Sequence, residues 1–403
     1  MRRFRHLRRL LAAALFVVLI PLGLMALKVF TIPHAMMWLP SQISDVVDDR
    51  AAMAERTEHL LVVVADHWEP GRGEAAERLA ESWLTRFAEI AADHRDGRGR
   101  TFRYSWFYPI DHRNRAIMSS LAQAVGRGLG EVEVHWHHHH DDAAVFERDL
   151  VDGLDDFRAE GLLPERDGRP AWAFIHGNWA LDNSIEHQCG ISNEVEILQR
   201  HGCYMDMTFP AIFMSSNPHQ ANRLLRMNET PAARSYDDAR VARVRGDDGG
   251  FLIFQGPLGL DPTNVPVFVE YSALDNAVGT GMSGVLARPS EPRDYFRPSR
   301  VRFWHRAGIG VEGRPEWTFA KLHVHGIQTA DLVLGGLLDA ALDELERYTA
   351  EKGITLHYVT AREAYNVVRA AERGMKGNPA VYYDLEVPPP PAAGGGPAST
   401  ASE

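Results

Sequence analysis

The stretch whose reading decides this chain is Gly130–Asp142, GEVEVHWHHHHDD. Glu131 to Val134 alternate polar and apolar residues, the period of a short strand. Histidines then occupy 135 and 137 through 140, five in six positions, where the strand gives way to a loop. Residues two apart on a strand share a face, so His135 and His137 would point the same way. If the chain turned into a helix after His135, His135 and His139 would converge instead. Either geometry presents neutral imidazoles to a borderline metal such as zinc.

Working outward, short apolar strands alternate with amphipathic helices. His59–Ala65 (HLLVVVA) reads as a buried strand, and Leu79, Trp83, Phe87 and Ile90 then fall on one helical face. Phe102–Phe107 is a further strand. Phe146, Leu150, Leu154 and Phe157 mark a second amphipathic helix, and Ala171–Ile175 (AWAFI) a strand. Asn193 with Glu196 has capping-box spacing and opens a helix that stops at Gly202. Trp317–Val324 and Ile354–Val359 read as strands flanking a helix over 331–352, and Thr360 with Glu363 repeats the capping-box spacing. This alternation implies an α/β fold with a mainly parallel sheet or barrel. Residues 215–300, rich in Asn, Asp, Gly and Pro, break the rhythm. They read as an insertion with its own strands at Phe251–Gln255 and Val267–Tyr271.

In such folds chemistry collects at the C-terminal ends of the strands. The reactive residues fall there: Asp66 and His67, His135, His176 with Gly177 and Asn178, Asp206, and His323 with His325. A carboxylate beside an imidazole, as in Asp66–His67, can bind a metal or act as a general base. His323 and His325 alternate on one strand, so both could enter one pocket, and histidine is the usual proton donor near neutrality. Trp179 could wall a sugar ring or fill the core. Together these residues suit metal-assisted hydrolysis, in which a carboxylate deprotonates the attacking water and a histidine protonates the leaving group.

The net charge of −11 over 403 residues, with no basic stripe in the body, argues against nucleic acid as a partner. Arg2, Arg3, Arg5, Arg8 and Arg9 form a basic leader over residues 1–9. The uncharged run Leu10–Leu27 follows, and with Val29–Ile32 it reads as a membrane anchor over residues 10–32. The arginines would stay cytoplasmic and place the body outside; a cleavable signal peptide is the competing reading. Residues 33–56 read as a linker, 57–375 as the folded body, 376–387 as an extension, and 388–403, rich in Pro and Gly, as a disordered tail. Cys189 and Cys203 could pair in an oxidising compartment or remain two buried thiols.

The order of these strings resembles a polysaccharide deacetylase domain of the NodB-like type. VVVADHW is similar to that family's first motif, with Asp66 and His67 in the place of its paired aspartates. GEVEVHWHHHH is similar to its His-x-x-x-His segment, with His135 and His139 in register. FIHGNWALDN and EILQRHGCYMDMTFP stand where the family has an arginine loop and an acid, here Asp206. KLHVHG stands where it has a final histidine. The resemblance covers about residues 57–370 and implies a distorted (β/α) barrel of about seven strands holding a divalent metal, zinc foremost. It assigns Asp66 as general base and His325 as general acid. Asp66, His67, His135 and His139 become metal ligands, and His137, His176, Asn178, Trp179, Asp206 and His323 line the substrate. The implied activity is removal of N- or O-acetyl groups from a surface or secreted polysaccharide. A glycoside hydrolase, or a non-catalytic glycan-binding or assembly protein on the same barrel, is the alternative.

Overall fold

The computed structural model describes residues 23, 34–47, 54–139, 142–212, 214–246, 249–260, 269–271, 274, 296 and 298–392. A ten-stranded sheet runs through it. Its strands are β1 (His59–His67), β2 (Tyr104–Pro109), β3 (Gly130–Trp136), β4 (Trp172–His176), β5 (Cys203–Asp206), β6 (Leu224–Met227), β7 (Arg240–Val241), β8 (Phe251–Phe254), β9 (Trp317–Val324) and β10 (Thr355–Tyr358). Their order is β9–β1–β2–β3–β4–β5–β8–β6–β7. β9 pairs with β1 from His59–Trp317 to Asp66–Val324. The other edge of β1 is divided: β10 takes His59–Val62 and β2 takes Ala65–His67. Every pair is parallel except β8–β6 and β6–β7. The fold is thus α/β with a mostly parallel sheet, as the alternation of strands and helices implies.

Parallel strands buried on both faces read as continuous apolar runs, and β1 is buried from Leu60 onward. Leu60, Val62 and Val64 share a core with Ala80, Trp83 and Phe87 of α1 (Glu74–Asp93). Leu61, Val63 and Ala65 face the other core, with Ile175, Met205, Phe254, Phe319 and the helix α2 (Ala361–Glu372). The sheet is curled, since Phe254 of β8 and Phe319 of β9 lie 5.5 Å apart between ring centroids although five strands stand between them in the order. Its ladder does not close among the described residues. Isolated bridges Arg243–Glu312 and Ile309–Phe319 place one short segment between the two edges.

Several expectations need correction. The sheet has ten strands where about seven were implied, because residues 224–254 are not an insertion: they supply β6, β7 and β8. Residues 33–56 contain the helix Ala35–Val47, whose Trp38 is fully buried against Ile212, Ala221 and Leu258. The ordered chain runs past 387, with Ala392 N donating to Gly161 O at 3.0 Å. Leu79 is 40 % exposed, the buried stripe of α1 running through Ala80 and Leu84 instead. Thr360 and Glu363 do form a capping box. Asn193 does not cap its helix; the carboxylate of Glu229 accepts from Val195 N (2.9 Å) and Glu196 N (2.6 Å). Both cysteines are free and buried. Apart from Gly23, the anchor read at 10–32 lies outside the described residues, and among those no helix is long and apolar enough to cross a membrane.

Candidate metal centre

The candidate centre is built at the C-terminal mouth of β1 and β3. Strand alternation sends His67 to the same side as Leu61, Val63 and Ala65, and His135 to the same side as Glu131 and Glu133. The two rings meet there, 4.8 Å apart between centroids. Glu69, two residues beyond the end of β1, reaches back with Oε1 3.3 Å from His135 Nε2 and Oε2 3.6 Å from His137 Nε2. His135 Nε2 and His137 Nε2 are 3.3 Å apart. One donor atom each from His67, Glu69 and His135 lies within 4.8 Å of the others. His325 and Trp179 flank His67 at ring distances of 4.8 and 5.1 Å, and His323 lies 5.9 Å away. Gly177 is required here: a side chain on it would collide with the His137 ring.

The electrostatics prepare these groups as ligands. Burial pushes His67 well below the ordinary histidine value, and the neighbouring His325, His135, His323 and Lys321 add to the effect. Burial also lowers His135, against the hydrogen bond it donates to Glu69. For Glu69 burial works upward, but the His135 hydrogen bond and the surrounding imidazoles outweigh it and hold the carboxyl below its usual range. Two neutral imidazoles and one carboxylate result, a donor set that fits a zinc-like divalent cation. His67 Nε2 is buried without a hydrogen-bond partner, a cost a ligand would relieve. His137 differs. Burial opposes its charge, but the hydrogen bond to Asp111 and the charge of Glu69 prevail and raise its pKa. His137 and Asp111 also line a cavity of about 650 Å³, together with Arg72, Arg113, Asp149 and Asp152.

The structure does not bring every expected residue to this centre. Asp66 cannot face it with His67, because adjacent strand residues point to opposite sides. Asp66 is fully buried on the α1 side, accepting from Gly326 N (2.7 Å) and Tyr104 Oη (3.1 Å). It pins the turn that follows His325, and it is not among the residues whose donor atoms converge. His139 is corrected likewise. The strand ends at Trp136, no helix is formed over His137–His139, and the His139 side chain is exposed. Asp206 is fully buried and bonded to Thr208, Oδ1 to Oγ1 at 2.6 Å. Asn178 is structural, donating from Nδ2 to His138 O (2.8 Å) and Gln188 O (3.2 Å). His176 points to the helix side of the sheet, its ring 4.3 Å from that of His138.

No periodicity reaches Glu69, which lies in a loop, and sequence reasoning missed Asp111 and Lys321. Lys321 was findable: it shares a strand face with His323, two residues away. Its Nζ is buried and donates to Met207 O (2.6 Å) and Phe209 O (2.7 Å). Burial pushes its pKa down, against the attraction of Asp206. Compared with known proteins, the chain matches no family model and no curated protein sequence.

Proposed function

We propose that the protein is a metal-dependent hydrolase that removes acyl groups, N- or O-acetyl, from a polysaccharide, on a curled sheet akin to the distorted (β/α) barrel of the polysaccharide deacetylases. The observation that supports this best is the convergence of His67, Glu69 and His135 donor atoms within 4.8 Å of one another, beside a cavity of about 650 Å³. A bound zinc ion would polarise the acyl carbonyl and lower the pKa of a coordinated water. His67 and His135 hold the ion through lone pairs that burial keeps unprotonated. Glu69 carries two oxygens, one toward His135 and one toward His137; with the first on the ion, the second would accept a proton from water in place of its contact with His137. His137, kept basic by Asp111 and Glu69, and His325 beside His67 are the groups placed to return a proton to the departing oxygen or nitrogen. Trp179 offers a flat face to a sugar ring. The body would work outside the cytoplasm, tethered by the apolar segment 10–32.

The test is direct. Untagged protein is assayed for acetate release from acetylated xylan and from chitooligosaccharides, with elemental analysis of the same preparation. Chelation is expected to abolish release, and added zinc to restore it. Full activity in metal-free protein would overturn the reading.

A further inference from the structure

The histidine run also feeds a second cluster, on the helix side of the sheet. His138 follows β3, His176 ends β4, Cys189 lies in the loop beyond, and Glu194 opens the next helix, Glu194–Arg200. All four are buried, each at 1 % exposure or less. One donor atom from each lies within 4.8 Å of the other three. Glu194 is the hub. Its Oε1 lies 2.9 Å from His138 Nε2 and 3.8 Å from His176 Nε2; its Oε2 accepts from Cys189 Sγ at 3.4 Å and Asp182 N at 2.7 Å. His176 Nε2 is fully buried and has no hydrogen-bond partner.

Burying a carboxylate is costly unless its charge is matched, and no Lys or Arg makes an ion pair with Glu194 among the described residues. A thiolate, a carboxylate and two neutral imidazoles sum to two negative charges, which one divalent cation neutralises. The sulfur ligand selects a soft or borderline metal over magnesium or calcium. Structural zinc sites are closed by four protein ligands, whereas catalytic ones keep a position open. This cluster has four ligands and no exposed side; the centre at His67 has three and borders a cavity.

We propose that His138, His176, Cys189 and Glu194 form a closed, four-coordinate zinc site with a structural role, separate from the centre of His67, Glu69 and His135. On binding, the Cys189 thiol releases its proton to solvent, and each imidazole ligates through one nitrogen with its proton on the other. Three existing contacts must yield: the ion replaces the protons that His138 Nε2 and Cys189 Sγ share with Glu194, and the bond from Asn178 N to His176 Nδ1 (3.1 Å) breaks when His176 ligates through either nitrogen. The site joins the ends of β3 and β4 to the helix start. Between its ligands it holds a loop with three non-glycine residues in the left-handed region: Trp179 (φ 60°), Asp182 (57°) and Asn183 (48°). Such backbone persists only where its surroundings hold it. Because Trp179 flanks His67, the closed site would position a wall of the open one.

Cobalt distinguishes the two sites, since only the closed one has a cysteine. Full-length protein is stripped by chelation and titrated with Co²⁺. The expected result is a thiolate-to-cobalt charge-transfer band in the near ultraviolet, with two equivalents bound per chain. Cys203→Ser and His67→Ala should keep the band; His67→Ala should bind one equivalent. Cys189→Ser should lose the band, and Glu194→Gln should weaken binding with the thiol still present. Zinc should raise the Tm of stripped wild type more than that of Cys189→Ser, which keeps only the open centre. Absence of the band in folded wild type, or its persistence in Cys189→Ser, overturns the proposal. Neither outcome touches the hydrolase reading, which fails on acetate release.

Discussion

The two histidine clusters arise from one run of sequence yet sit in opposite environments. His135 and His137 turn to the strand mouth, beside a cavity and an ionised Glu69. His138 turns to the helix side, among Trp136, Phe146 and His176, with its Nε2 on Glu194. His139 goes to solvent. Identical side chains acquire distinct chemistry because the backbone deals them alternately to each face of the sheet. Composition marks the place; the face decides between an open centre and a closed one.

The largest expected effect separates these roles. His67→Ala removes a ligand from the open centre, and turnover should fall by ~10³-fold, at least the loss that follows removal of one electrostatic contact to a transition state. Its Tm should stay close to that of zinc-loaded wild type, because the closed site is intact. Cys189→Ser should show the reverse emphasis, a lower Tm with a much smaller loss of turnover per folded molecule, through the displaced Trp179 wall. Side-by-side thermal melts and acetate-release rates check this. Equal patterns in the two variants would break the comparison.

Next come the residues on either side of the β9 turn. His325→Ala should leave metal content intact and lower turnover by about 10²–10⁴-fold, the usual worth of a positioned acid or base. Asp66→Asn should also keep the metal, because Asp66 faces away from it. Its effect is on stability: the amide cannot accept from both Gly326 N and Tyr104 Oη, and leaving one buried donor unmet costs about 1–3 kcal/mol. Denaturant melts with metal analysis test it. Loss of activity without loss of stability would return Asp66 to the role of base.

This pair shows what was legible. Strand ends at 67, 135 and 324 could be read from apolar runs, and with them His67, His135 and His323 at one mouth. The rule that divides Asp66 from His67 was legible too, since it is the same alternation that unites His323 with His325. The closed cluster was not, because 138, 176, 189 and 194 lie on four segments that only packing brings together. β6 was hidden for a related reason. Its Arg226 interrupts the apolar pattern, and its charge is met by Glu372 of α2 at 2.6 Å, 146 positions along the chain. The helix at Glu194 likewise takes its cap from Glu229, which no local spacing announces.

A pH experiment sharpens the contrast by supplying a buried ionic cluster that needs no metal. Glu363 is buried and bonded to Arg100 and to Arg103 (2.6 Å). Burial favours its neutral form, but the two guanidinium charges prevail and hold its pKa far below the ordinary 4.5. A carboxyl with a lowered folded value stabilises the fold in full above its unfolded pKa, and that contribution drains away as pH falls toward the folded value. Unfolding free energy should therefore decline below about pH 4.5, and Glu363→Gln should flatten that slope while losing stability at neutral pH. An unchanged acid limb in Glu363→Gln would place the acid sensitivity elsewhere.

The smallest expected effect is the sharpest check on how the run is dealt out. His139 has the i, i+4 spacing to His135 that a helical turn would turn into a chelate. No helix forms there, and His139 is exposed beyond the strand. An exposed side chain with no buried partner changes stability by no more than about 0.5 kcal/mol when truncated. His139→Ala should therefore hold wild-type metal content, both cobalt equivalents and wild-type acetate release. His135→Ala, four residues earlier, should lose one equivalent and the activity together. A loss of metal in His139→Ala would mean that the loop after β3 folds back over the open centre when the ion binds, giving it a fourth protein ligand. The distinction between an open and a closed site on this sheet would then rest on the presence of metal, and no longer on the face of the strand.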